Sequence, residues 1–169
     1  VGGTPILGVF RYPSGTSNQP PKACRMAGIV PPGRTVGTYF GDMHSEELEI
    51  RTGNRETVYD LTSECTKFLR SAGAEEGLLN AWVPHATAGL AIIETGAGSD
   101  DDLLTALGDL LPADNRWRHR HGPPGHGRDH VLPAFLPPYA TIPVRGGQLA
   151  LGTWQSICLV DTNKDNPVR

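Results

Sequence analysis

Apolar and polar positions follow no sustained period from Val1 to Phe40, where Gly, Pro, Ser and Thr crowd the chain. Such a stretch buries too little surface to offset the entropy of ordering it, so residues 1–45 read as a disordered N-terminal extension. Regular pattern begins at Glu46. Leu48-Glu49-Ile50-Arg51 alternates, Thr52-Gly53-Asn54-Arg55 has turn chemistry, and Thr57-Val58-Tyr59 resumes an extended pattern. Those three pieces predict a hairpin. A helix follows, with Thr62 as its N-cap, Glu64 in its first turn and Gly73 just past its end. Leu61, Cys65, Phe68, Leu69 and Ala72 fall on one stripe at helical spacing.

Leu78 to Val83 and Leu90 to Ile93 are apolar runs of strand length, separated by Pro84-His85-Ala86-Thr87-Ala88-Gly89. Ser99 caps a second helix whose first turn holds Asp100, Asp101 and Asp102 and which Pro112 stops. Its predicted buried face is Leu103, Leu104, Leu107, Leu110 and Leu111. A long Pro/Gly/His/Arg-rich connection spans 112–138, a length usually associated with function or disorder. Three strands then follow, Ala140 to Val144, Gln148 to Leu151 and Thr153 to Val160, with Gly146-Gly147 as a turn. Strands outnumber helices and helices interrupt them twice. The fold class is therefore α+β with mainly antiparallel sheet and two helices, and residues 46–169 form a single domain.

Charge narrows the partners. A formal net charge of −3 with 20% charged residues gives no electrostatic reason to expect nucleic acid or an anionic membrane. The apolar runs fall far short of the roughly 18 residues that span a bilayer. No basic stretch and apolar core of a secretory signal opens the chain. Cys24, Cys65 and Cys158 have no recognisable spacing, and the latter two lie inside apolar segments, so they read as buried free thiols. A reducing, cytoplasmic setting is expected.

The chemistry concentrates in histidine. Beside His44, at the edge of the irregular extension, stand His85, His119, His121, His126 and His130. Imidazole is the commonest protein ligand for zinc and its neighbours, and three such ligands leave a position for water or substrate. Gly122, Gly125 and Gly127 let the 119–130 loop fold back on itself. The same run, Arg116-Trp117-Arg118-His119-Arg120-His121, also reads as a basic surface loop, and a lone His85 as a satisfied core histidine. Glu94 and Asp129 are the acidic candidates, either as bases or as groups that orient a histidine. Gly152-Thr153-Trp154-Gln155 reads as a phosphate- or carbonyl-binding turn, or as a bulged turn with Trp154 in the core.

Three ordered pieces, Val83-Pro84-His85-Ala86-Thr87-Ala88-Gly89-Leu90, Trp117-Arg118-His119 and Leu151-Gly152-Thr153-Trp154-Gln155, resemble the YjbQ family, also called secondary thiamine-phosphate synthases. The resemblance runs from about Glu46 to Pro167. It implies a two-sheet β-sandwich assembled as a homotrimer, and an activity that joins a pyrimidine pyrophosphate to a thiazole phosphate. It further implies a divalent metal ion, zinc, another transition metal or magnesium, held by His85, His119 and His130. Glu94 occupies the family's acidic position, and His121 stands where the family has a glutamate. With Asp129 they are the acid–base candidates. Thr87, Arg118, Arg128, Gly152, Thr153 and Gln155 are the candidates for holding substrate. The chain departs at Ile93, where the family has asparagine, and at the lengthened Pro123–Arg128 segment. One further strand is expected beyond Arg169. The expected function is a metal-dependent enzyme acting on a small phosphorylated metabolite. The alternative is a trimeric protein that binds metal or a phosphorylated ligand without turnover.

Overall fold

The computed structural model describes residues 5–11, 43–119 and 121–169. Cys24 and most of the predicted extension lie outside them. Eight strands are present among the described residues: β1 Ile6–Arg11, β2 Met43–Glu47, β3 Thr57–Asp60, β4 Glu76–Trp82, β5 Ala88–Ile93, β6 Tyr139–Arg145, β7 Gln148–Leu149 and β8 Ser156–Asp161. Two α-helices, α1 Thr62–Ala72 and α2 Ser99–Leu110, interrupt them. The strands form a five-stranded sheet of order β2-β1-β4-β6-β7 and a three-stranded sheet of order β3-β8-β5. Every pairing is antiparallel. The α+β class and the two sheets are as expected.

The alternating pleat puts Leu7 and Val9 of β1, Leu79 and Ala81 of β4, and Ile142 and Val144 of β6 on the inner face of the larger sheet. They meet Ile157 and Leu159 of β8 and the α1 stripe Cys65, Phe68, Leu69 and Ala72 in one core. Gly73 closes α1 in the left-handed conformation, φ 58°, as the sequence predicts. Residues 6–11 correct the expectation of a disordered 1–45 segment. Leu7 and Val9 bury completely because β1 lies between β2 and β4, where every second side chain enters the core. Ile6-Leu7-Gly8-Val9-Phe10 is apolar on both sides of the pleat, so it shows no alternation to read.

The predicted hairpin is also corrected. β3 pairs with β8 in the smaller sheet, while Leu48 donates its N–H to Pro5 O (2.8 Å) beside β1. Ile50 exchanges both backbone hydrogen bonds with Arg169, at 2.6 and 2.7 Å. On α2 only Leu107 is buried and Leu110 is 56% exposed, so the buried face is narrower than the leucine pattern suggests. Leu107, Leu111 and Leu132 pack with Val160 on the outer face of the smaller sheet, joined by Trp117, Val131 and Leu136. This second core holds the 112–138 segment against the sheet.

Cys65 and Cys158 are free and buried, and burial pushes both thiols up to about 12. Their thiolates are therefore disfavoured at neutral pH. Among the described residues no helix is long and apolar enough to cross a membrane.

Candidate functional site

The loop that follows α2 is pinned from several sides. Trp117 donates its indole N–H to Pro112 O (2.8 Å), which holds the Trp117-Arg118-His119 segment against the end of α2. Gly122 adopts φ +92°, and a Cβ there would lie 2.9 Å from the His126 ring, so glycine lets the loop double back. A short 3-10 turn, His126–Arg128, then delivers His126 and His130 to the same place. Arg128 is buried and reaches Glu56 Oε1 at 2.6 Å and Leu111 O at 3.3 Å. Its charge is spent on the loop's own anchorage, which corrects its candidacy as a phosphate contact.

His119, His121, His126 and His130 converge. One nitrogen from each lies within 4.8 Å of all the others. The His126 and His130 Nε2 atoms are 2.8 Å apart, a separation at which two lone pairs repel unless a proton or a cation lies between them. Ring centroids of His119 and His121 are 4.0 Å apart, and those of His119 and His130 4.1 Å. His119 and His121 are exposed, whereas His126 and His130 are partly buried. Dehydration and the neighbouring imidazoles hold the His119 and His130 pKa values below the ordinary histidine range. Both shifts favour the neutral ring, the form that ligates metals.

Asp129 is buried and accepts from Thr162 Oγ1 (2.7 Å) and Asn163 Nδ2 (3.2 Å). It lies 4.0 Å from His126 Nδ1. A cleft of about 350 Å3 adjoins the cluster through His119 and is lined also by Asp114, Asn115, Trp117 and Pro123. Arg118 is exposed on the same segment.

His85 is not among the four histidines whose nitrogens converge, although His130 is near enough to act electrostatically on its ring. Its turn, Pro84–Thr87, carries the chain from the larger sheet to the smaller one. His85 Nδ1 accepts from the Thr87 backbone N–H (3.3 Å) and lies 3.0 Å from Thr87 Oγ1. Ligation through Nε2 would need the tautomer that surrenders the Thr87 amide bond. Burial first, then Arg169 and His130, lower the His85 pKa to about 4, so the ring is neutral. Thr87 is itself buried against His85, which takes it out of the candidate substrate contacts.

Glu94, Gly152, Thr153 and Gln155 fall at the far end of the smaller sheet. Ala88 pairs with Asp161 at the histidine end, and Ile93 with Ser156 at the other. At about 3.3 Å per residue the two ends are roughly 17 Å apart. Gln155 Oε1 accepts the Gly152 N–H (2.7 Å), which closes a tight turn, and Trp154 is 71% exposed rather than in the core. Within one chain these residues do not reach the histidines.

Sequence reasoning counted His126 in the dense run but left it out of the ligand set, and it missed the Asp161–Asn166 loop after β8. The density of Asp and Asn in that loop was the available signal, since such side chains build turns and bond nearby histidines.

Comparison with known proteins agrees with this architecture. Residues 46–169 match the family model described as UPF0047 protein YjbQ-like. The UPF0047 protein Rv2556c of Mycobacterium tuberculosis is 57% identical over 127 residues, covering 75% of this chain and 93% of that protein. The UPF0047 protein YugU of Bacillus subtilis is 33% identical over 115 residues, covering 65% of this chain and 83% of its own length. Among solved structures, a YbjQ-like protein from Sulfolobus solfataricus superposes with a TM-score of 0.68 at 26% identity. That match covers 72% of this chain and 88% of the archaeal one. On the family model, the sequence identity and the shared fold, this chain is a member of the YjbQ-like UPF0047 family.

Proposed function

We propose that the His119, His121, His126 and His130 cluster holds a divalent transition-metal ion, and that the protein uses it on a small phosphorylated metabolite. The observation that carries this reading is the convergence of four imidazole nitrogens within 4.8 Å of one another. An all-nitrogen donor set suits zinc, nickel, copper or iron, whereas magnesium demands oxygen ligands, so magnesium is the poorest fit of the ions considered. A bound ion of this kind supplies Lewis-acid stabilisation to a phosphate oxygen or a hydroxide nucleophile. The adjoining cleft of about 350 Å3 has the capacity of a small-metabolite site. Exposed Arg118 offers its guanidinium to a phosphate, and Trp117 lines the wall.

A homotrimer is part of the same proposal. Trp154, Glu94 and Gln155 are exposed at the end of the sheet away from the histidines, and assembly gives that end a partner.

One observation favours binding without turnover. Four protein nitrogens complete a tetrahedral shell, as structural zinc sites do, and leave no position for substrate at a four-coordinate ion. An ion that accepts five or six ligands keeps one open. The decisive measurement is metal content per chain by elemental analysis, for wild type beside His119→Ala and His130→Ala. About one ion per chain, lost in both variants, is expected. No metal in the wild type after reconstitution with zinc, cobalt, nickel or manganese refutes the reading. Product analysis with a pyrimidine pyrophosphate and a thiazole phosphate then tests the synthase version, which absence of a coupled product refutes.

A further inference from the structure

His126 arises from the segment Pro123-Pro124-Gly125-His126, and its ring is held on both nitrogens. Nδ1 lies 2.8 Å from Asp165 Oδ2, and Nε2 faces His130 Nε2 at 2.8 Å. The ring is only 10% exposed, so it has little freedom to turn.

The loop after β8 determines which nitrogen carries the proton. Asn163 Oδ1 accepts from the backbone N–H groups of Asp165 (3.0 Å) and Asn166 (3.2 Å), so its amide orientation is set. Its Nδ2 therefore faces the carboxylates, 3.2 Å from Asp129 Oδ2 and 3.4 Å from Asp165 Oδ2, and also lies 3.2 Å from His126 Nδ1. Of the groups around Nδ1, the Asp165 carboxylate is the short-range acceptor. Nδ1 is thus the protonated nitrogen and Nε2 carries the lone pair. A carboxylate behind a ligating histidine fixes tautomer and aim and makes the ligand more basic.

We infer that Asp165 is a positioning residue that aims His126 as a fourth nitrogen donor to the metal ion, an inference that rests on the metal reading above. His126 and His130 form the pre-set half of the site, and exposed His119 and His121 complete it. The Asp161–Asn166 loop is the outer support of the centre, built from a part of the chain remote in sequence from every ligand.

The test uses the full chain and Co2+ as probe, with affinity from chelator competition and coordination from the visible absorption of the bound ion. Asp165→Ala removes the carboxylate but leaves the Asp165 N–H bond to Asn163, so the loop keeps its backbone anchorage. Asp165→Ala and His126→Ala should each weaken Co2+ binding by roughly 10- to 100-fold and alter the absorption spectrum. Asp165→Asn retains an acceptor oxygen and should recover part of the affinity and the wild-type spectrum. Wild-type affinity and spectrum in both alanine variants, with binding lost in His119→Ala, overturns this inference and leaves the metal reading standing. A fall in melting temperature for Asp165→Ala with an unchanged Co2+ spectrum also overturns it, because the carboxylate is then structural. Failure of the wild type to bind Co2+ overturns the metal reading itself.

Discussion

Substituting Gly127 by alanine isolates the loop geometry on which the site depends. A Cβ at this position would lie 2.5 Å from Trp117 Cβ and 2.8 Å from His119 O. Ordinary contact begins near 3.4 Å, so the first contact falls about 0.9 Å short. The atoms in the way are backbone and the root of a side chain, neither of which swings aside. The 117–119 segment must therefore separate from the 126–130 turn. Overpacking of this kind costs about 1–3 kcal/mol. Metal–ligand distances tolerate only about 0.2 Å, so a shift of this size also moves His119 out of register with His126 and His130. Urea unfolding in chelator should show the stability loss alone, and chelator competition with Zn2+ should show affinity down by roughly 10- to 100-fold. Gly108 inside α2 is the control, because a Cβ there meets nothing within 4 Å. Gly108→Ala should raise stability by up to about 1 kcal/mol and leave metal binding alone. A Gly127→Ala protein with wild-type stability and wild-type zinc affinity would refute the loop geometry and the site built on it.

Acid should destabilise the metal-free protein. The His85 pKa falls from 6.5 unfolded to about 4 folded, so between those values the unfolded chain binds more protons. That stability is fully present above pH 6.5 and is lost as pH drops toward 4, with His119 and His130 acting in the same direction. Allowing for solvent screening of a partly exposed ring, His85 contributes about 1–2 kcal/mol. Urea midpoints in chelator at pH 7, 5.5 and 4.5 measure it; His85→Gln should flatten the slope, and an unchanged slope rejects the assignment. Asp161→Asn should cost about 3–5 kcal/mol, since Arg169 is 2.8 Å away, both side chains are 0% exposed, and the guanidinium is left uncompensated. The paired change Asp161→Leu with Arg169→Met should be far milder in the same assay, and equal losses would show that the ion pair is not the cause.

Period and punctuation made most of the elements legible. The α1 stripe, Gly73, the Gly146-Gly147 turn and most strand-length runs are local properties that appear where their pattern places them, although the strand expected from Thr153 begins only at Ser156, after the 152–155 turn. What local pattern does not carry is partnership. Leu48–Arg51 alternates like a hairpin strand, yet its backbone bonds go to Pro5 and Arg169, at opposite ends of the described chain. β1 is the same case in reverse, a short apolar run given its role by two neighbours distant in sequence. The site divides along the same line. The dense histidines of 119–130 announced themselves, but the Thr87 contacts that occupy His85 Nδ1 depend on how the 84–87 turn folds back. The place of Glu94 and Gln155 depends on the length of the β5–β8 ladder.

The loop that departs from the family pattern is also where the candidate site acquires its character. The resemblance leads to an expected glutamate where His121 stands, and His126 lies in the lengthened Pro123–Arg128 segment; both join the cluster. The nearby carboxylates, Asp129 and Asp165, sit behind His126 instead of in the ligand set. A divalent ion in such a shell keeps its formal charge undiminished by its direct ligands, with negative charge only in the second layer. Such a shell would attract an anion more strongly than one containing a carboxylate, and an ion that accepts a fifth ligand could take a phosphate oxygen directly. It also discriminates against magnesium and calcium, whose preference for oxygen leaves little gain on entering four imidazoles. If the proposed ion binds, the same four imidazoles would bear on both which ion is held and which charge of ligand it draws, so metal identity and ligand class are to be tested together.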